Sequence, residues 1–282
     1  MIITAPGVYE MTAEEYLADP VRGGSLSSSG ARLLLSTCPA MFQHRRQYPD
    51  TPTGAMTLGT AAHALILGTG RTPVEIPDDV LAVNGATSTK LAREWIAKAE
   101  AEGKTPLKAR EMRRIEKMAG QIRKHPRASQ LLMPGSGQPE RVLVWRDETT
   151  GVWCRAMIDW LRRDGRIVDY KTGESASERA FRAAVTRYRY DQQDAWYRAG
   201  VKALGVDPAP EFEFVVQETT TPYLVATFQL DPIWVASATS DNRAALDLYK
   251  RCQDTDEWPG YPPDTQTLIA PTWMIDDFLE LT

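Results

Sequence analysis

Hydrophobic and polar positions divide this chain into a helical front half and a β-containing second half, separated by Pro134-Gly135-Ser136-Gly137. In the front half, Leu107, Ile115, Met118 and Ile122 keep the three-to-four spacing of a buried helical stripe, within an amphipathic helix predicted over 106–125. A second amphipathic helix is predicted over 87–101, and a mostly buried one over 56–67. Ser27-Ser28-Ser29 supply a cap for a helix running from Ala31 to about Arg46. Residues 1–24 read as a flexible arm, and 68–86, with Pro73, Pro77 and Asn84-Gly85, as a connector. In the second half, strands are predicted at 141–146, 152–161, 166–170 and 211–217, with a further one at 223–229. One long helix is expected over 177–204, and two more close the chain at 231–253 and 271–281. The class is α/β: a mixed sheet flanked by helices, in one domain over 25–282, helical over 25–135 and sheet-bearing over 136–282.

The segment from Cys154 to Lys171 carries the densest chemistry. It reads as two strands joined by a three-residue turn, Arg163-Asp164-Gly165, with glycine in the left-handed position. Asp169 and Lys171 are two apart on the second strand and project to one side. In that register Asp159 lies opposite Asp169. Two carboxylates held this close repel unless positive charge sits between them, which a divalent cation with oxygen ligands supplies. Lys171 is then left for a phosphate or a water.

Asp159 and, ten positions further on, Asp169-Tyr170-Lys171 resemble the core motif of the PD-(D/E)XK nucleases, with Ile158 in place of the motif's proline. Gly59-Thr60-Ala61-Ala62-His63 is similar to the G-x-x-x-H motif of the RecB-like branch, and Gln193-Asp194-Ala195-Trp196-Tyr197 to its Q-x-x-x-Y helix, both in the right order. Cys38-Pro39, Glu140, the stretch from Phe212 to Glu218 and Trp258-Pro259-Gly260-Tyr261 resemble the phage and prophage exodeoxyribonuclease VIII (RecE-type) group; the likeness spans about 25–275. It implies a restriction-endonuclease-like core and a metal held by His63, Asp159, Asp169 and the Tyr170 backbone carbonyl. Lys171 would position or polarise the attacking water, or stabilise the pentavalent phosphate. Glu140 either hydrogen-bonds a metal-bound water or ends a loop. Gln193 and Tyr197, four apart on one helix face, contact the substrate backbone, brace the site, or both. Arg179, Arg182, Arg187 and Arg189, on or near that helix, are candidates to hold phosphates or are solvated side chains. Trp258, Tyr261 and Trp273 are expected in packing, and His44 and His125 as surface or structural residues.

Composition is that of an ordinary globular protein, with 43% hydrophobic and 25% charged residues among 282. There is no apolar run of 18 residues and no signal-like start, which points to the cytoplasm and away from membranes. Cys38, Cys154 and Cys252 are far apart, neither a disulfide framework nor the four ligands of an iron–sulfur cluster. Net charge is −4, awkward for a DNA binder, but its distribution is uneven. Residues 105–127 hold eight Lys/Arg against two acids, whereas 253–282 hold seven acids and no Lys or Arg. Such a chain can present a basic groove on one face, or the positive run can coat a solvated helix.

The expected function is a metal-dependent exonuclease, with Mg²⁺ or Mn²⁺, one or two ions, acting on double-stranded DNA ends. From the resemblance come a 5′→3′ direction, a single-strand annealing recombinase as partner, phage-type recombination and a ring-shaped homo-oligomer. A single-strand or flap nuclease, or an endonuclease, would use the same residues. A catalytically silent DNA-binding module is the alternative of another class, although a silent fold has no physical need for two uncompensated carboxylates.

Overall fold

A computed structural model describes residues 2–48, 54–207 and 210–270. The front half runs β1 (Gly7–Glu10), α1 (Ala13–Leu17), β2 (Leu26–Ser27), α2 (Ser28–Ser36), α3 (Pro39–Gln47), α4 (Gly54–Leu67), β3 (Thr72–Glu75), α5 (Lys90–Ala101), β4 (Lys104–Leu107), α6 (Ala109–Lys124) and α7 (Pro126–Leu131). The second half runs β5 (Gly137–Arg146), β6 (Trp153–Arg162), β7 (Ile167–Gly173), α8 (Glu178–Tyr188), α9 (Tyr190–Ala203), β8 (Phe212–Glu218), β9 (Val225–Phe228) and α10 (Pro232–Thr255). Seven strands form one mixed sheet in the order β1-β5-β6-β7-β8-β9, with β2 also on β6; β3 and β4 form a separate parallel pair. Within the large sheet β7 and β8 are parallel, joined over the sheet by α8 and α9, and β2 is parallel to β6; the other pairs are antiparallel.

Alternation along the strands sends side chains into two apolar layers, and β6 changes face between Ile158 and Trp160. Ile158, Ile167, Phe212, Phe214 and Val216 pack with Trp196 of α9 and Tyr249 of α10. Trp160, Val168, Tyr170 and Val215 pack on the opposite face with Leu67, Ile122 and Leu131 of α4, α6 and α7. The expected mixed sheet flanked by helices is therefore observed. No helix among the described residues is long and apolar enough to cross a membrane.

Several local expectations are corrected. Residues 2–24 are packed rather than loose: β1 pairs with β5 from Gly7↔Val144 to Glu10↔Arg141, and Ile3, Met11 and Val21 cover Val142 and Val144. Those two apolar side chains need a cover, and the arm supplies it. The helix expected over 31–46 breaks at Cys38-Pro39, because Pro39 has no N–H to continue the ladder and holds Cys38 extended. The helix expected from 106 starts later, since β4 pairs with β3 and buries Leu107 as a strand residue; Ile115, Met118 and Ile122 do face inward on α6. The long helix at 177–204 is two, interrupted at Arg189, whose backbone is left-handed at φ 53°, ψ 49°. Trp258 stacks on Phe42, but Tyr261 is exposed; Trp273 and the helix expected at 271–281 lie outside the described residues.

Candidate active site

Chemistry gathers where the sheet divides. The turn after β6 forms as its residues demand: Arg162 N–H donates to Arg166 O at 2.9 Å, and Gly165 sits at φ 81°. Beyond it β6 and β7 pair only at Leu161↔Ile167 and Trp160↔Val168. The register would next set Asp159 opposite Asp169, as expected, but the strands splay there. At the other end of β6, β2 pairs with Cys154 and Arg155 instead. Side chains take over main-chain groups along the opening: Asp159 Oδ2 accepts from Tyr170 N–H at 2.9 Å, and Trp196 Nε1 donates to Arg155 O at 3.0 Å.

Two further groups enter this fork. α4 brings His63, whose Nε2 lies 3.2 Å from Asp159 Oδ2 and whose Nδ1 lies 3.8 Å from Glu140 Oε1. Glu140 sits within β5 at φ 46°, a left-handed conformation that costs a non-glycine residue about 1–2 kcal/mol. Pairing of β5 with β6 skips it, between Pro139↔Trp160 and Arg141↔Ile158. The twist turns its carboxylate toward His63, with Thr69 Oγ1 donating to Oε2 at 3.1 Å. Glu140 is therefore at the centre, not at a loop end. Gly59 is not sterically demanded: a Cβ there would stand 3.5 Å from Thr172 Oγ1, ordinary contact.

From the other face, α9 brings Gln193. Its Nε2 donates to Asp169 Oδ1 at 2.7 Å, and its Oε1 accepts from Lys171 Nζ at 3.0 Å. Lys171 Nζ is also 2.5 Å from Asp169 Oδ2 and 4.6 Å above the Tyr190 ring. Both ends of the Gln193 amide are thus engaged inside the protein, where it braces the acid and the amine. Tyr197 is buried one turn on. Arg189 is held by Asp191 at 3.1 Å through two nitrogens and by Asp241, and Arg182 pairs with Glu178 at the exposed surface. Arg179 and Arg187 are exposed, the latter over the Tyr188 ring. Nothing in the sequence singled out Tyr190 or Thr69. Tyr190 precedes the Q-x-x-x-Y segment by three residues, one turn of helix from Gln193, which is the one signal that could have found it.

Burial dominates the electrostatics. Asp169, 1% exposed, has its pKa pushed up to about 6, first by burial and then by Asp159, with Lys171 pulling the other way. Burial likewise opposes ionisation of Asp159, but the His63 charge and hydrogen bond, Lys171 and the Tyr170 N–H outweigh it and hold the carboxyl below its usual range. Burial works against the His63 cation, yet Asp159, Glu140 and Asp169 together raise its pKa. For Lys171 burial is again opposed and overcome, by Asp169 and Asp159.

Three carboxylates and one imidazole around a partly open fork have the donor chemistry of a hard divalent cation. Asp169 fits that purpose, being an acid whose burial disfavours its charge despite the Lys171 ammonium beside it. As arranged, however, no three of His, Cys, Asp and Glu among the described residues are gathered tightly enough to chelate one ion. His63 is turned onto Asp159 and Lys171 onto Asp169, so a cation would displace internal ion pairs as it entered.

No curated protein matches the sequence. Among solved structures, a protein of Eubacterium rectale provisionally described as an exonuclease superposes with a TM-score of 0.61 at 13% identity, covering 95% of this chain and 98% of that one. At that identity the likeness speaks for the fold alone. The alkaline exonuclease LHK-Exo of Laribacter hongkongensis (15% identity, 69% of this chain and 95% of that one) and the protein SSO0001 (12%, 68% and 86%) both give a TM-score of 0.28, too loose to carry an argument. Residues 27–270 match the family described as a PDDEXK-like domain of unknown function, DUF3799. Fold, fork and matched sequence converge, and the chain belongs to this PDDEXK-like family.

Proposed function

We propose that this protein is a divalent-metal-dependent exodeoxyribonuclease that degrades linear double-stranded DNA from its ends, 5′→3′, and leaves single-stranded tails for phage-type recombination. The observation that carries the reading is the meeting of His63, Glu140, Asp159, Asp169 and Lys171 at one opening of the sheet, with Gln193 fixing two of them. Direction, DNA ends and an annealing partner rest on the resemblance to the exodeoxyribonuclease VIII group.

Asp159, Asp169, Glu140, His63 and the Tyr170 carbonyl would hold Mg²⁺ or Mn²⁺. When bound, such an ion polarises the phosphate and lowers the pKa of a coordinated water. Gln193 holds Lys171 and Asp169 in fixed relation, so the ammonium is aimed before substrate arrives. Lys171 then offers a positive N–H donor to the attacking water or to a phosphoryl oxygen as negative charge builds on it. Tyr190 limits where the lysine can swing.

A digestion assay with end-labelled linear duplex and Mg²⁺ tests the reading. Release of short products from 5′-labelled ends, abolished by EDTA, is expected. Nicking of closed circles, or attack only from 3′ ends, would count against it.

A further inference from the structure

α6 presents one face on which Arg110, Arg113, Lys117 and Lys124 are all exposed, opposite its buried Ile115, Met118 and Ile122. Cations elsewhere on this protein are mostly consumed by acids: Arg127, Arg166, Arg189, Arg198 and Arg243 all pair internally. The α6 four have no ion-pair or hydrogen-bond partner among the described residues. In a chain of net charge −4, composition does not account for such a face. Of the two acids on α6, Glu116 is exposed beside this face, and Glu111 accepts from Lys108 N–H at 2.9 Å.

The face is tied to the fork. Arg114 Nε donates to Thr219 O at 2.7 Å, and Thr219 N–H donates to Gly173 O at 2.8 Å. Gly173 ends β7 two residues beyond Lys171, about 7 Å along a strand. A cleft of about 500 Å³ lies between α6 and the turn after β8, lined by four cations, Arg110, Arg113, Arg114 and Lys117, one acid, Glu111, and Tyr223. Lys117 and Tyr223 also line a second cleft of about 270 Å³, which reaches Lys124. The two form a basic trough leading away from the strand end that carries the lysine.

We propose that this trough is the track for the DNA sugar–phosphate backbone next to the site, with Arg110, Arg113 and Lys117 as its phosphate contacts. The inference rests on the nuclease reading above and adds to it where the substrate runs. Phosphate contacts release counterions, so each one steepens the fall of affinity with salt, by about 0.9 in the log–log slope on duplex.

Anisotropy of a fluorescent linear duplex in EDTA, titrated from 50 to 200 mM salt, tests it on the full chain. In Arg110→Ala/Arg113→Ala/Lys117→Ala the slope should become shallower by about 2–3, and affinity at 150 mM should fall at least tenfold. The triple Lys90→Ala/Lys98→Ala/Lys202→Ala removes equal charge from other exposed positions and should change the slope by less than one. Arg113→Glu alone serves if circular dichroism finds the α6 triple unfolded, and should still flatten the slope by one or more. Wild-type slope and affinity in a folded α6 variant overturn the track. A wild-type protein that neither binds nor digests DNA overturns the nuclease reading first, and the track with it.

Discussion

Gln193 joins the buried acid and the amine with a single amide, so these three residues stand or fall as a unit. Asp169→Asn and Lys171→Ala should each lower cleavage by about 10²–10⁴-fold while the folded signal in circular dichroism persists. Unchanged turnover in either variant would mean that the chemistry lies elsewhere. Glu140 allows a different kind of test, because its left-handed backbone is kept at a cost. Asparagine tolerates that conformation better than glutamate does. Glu140→Asn is therefore expected to melt at or above the wild-type temperature and yet to cleave at least tenfold more slowly. A lower melting temperature with full activity would assign Glu140 to structure alone. At this scale much was legible in the chain: the alternation around Asp169-Tyr170-Lys171 and the glycine-containing turn at 163–165 were enough to bring the two acids together. The aim of Glu140 was not legible, because no residue pattern announces a glutamate at positive φ inside a strand.

Elements proved harder to read where a single residue overrides propensity. Pro106 looked like a helix start, but β3 offered a strand partner and β4 took it. The break at Arg189 has no glycine or proline to mark it. Its cause is tertiary: the guanidinium reaches both Asp191, nearly buried, and Asp241 of α10, and holds the backbone in the left-handed region between α8 and α9. That break starts the helix that delivers Tyr190 and Gln193. Arg189→Ala should cost about 2–4 kcal/mol, since it strands a buried carboxylate, and Arg189→Gly about 1 kcal/mol less, since glycine accepts the backbone freely. Chemical denaturation gives both values, and an alanine variant as stable as wild type would remove the tertiary explanation.

For the whole molecule, the buried acids set opposing trends with pH. Asp169 and Asp194 both have pKa values near 6, raised chiefly by burial, so their contributions favour the folded state at pH 4 and decline as pH rises to about 6. Asp147 runs the other way. Its Arg243 hydrogen bond, with those from Thr150, lowers its pKa to about 2 against the effect of burial. That contribution is intact above the ordinary carboxylate range and is lost as pH falls toward 2. Thermal melts should accordingly show a stability maximum at about pH 3–4, with Arg243→Gln flattening the acid limb. Added Mg²⁺ or Mn²⁺ should raise the melting temperature more at pH 7.5 than at pH 5, since Asp169 is ionised only at the higher value; equal shifts at both would count against Asp169 as a ligand.

The seating of the first two dozen residues has a practical consequence. β1 covers the outer side of β5, and Asp19, with Ser25 beside it, holds the Arg155 guanidinium. A chain begun at Ser25 would leave β5 as an unprotected sheet edge, ready to add strands from neighbouring copies. Such a truncation would fail by clumping out of solution, a loss easily mistaken for a missing catalytic group.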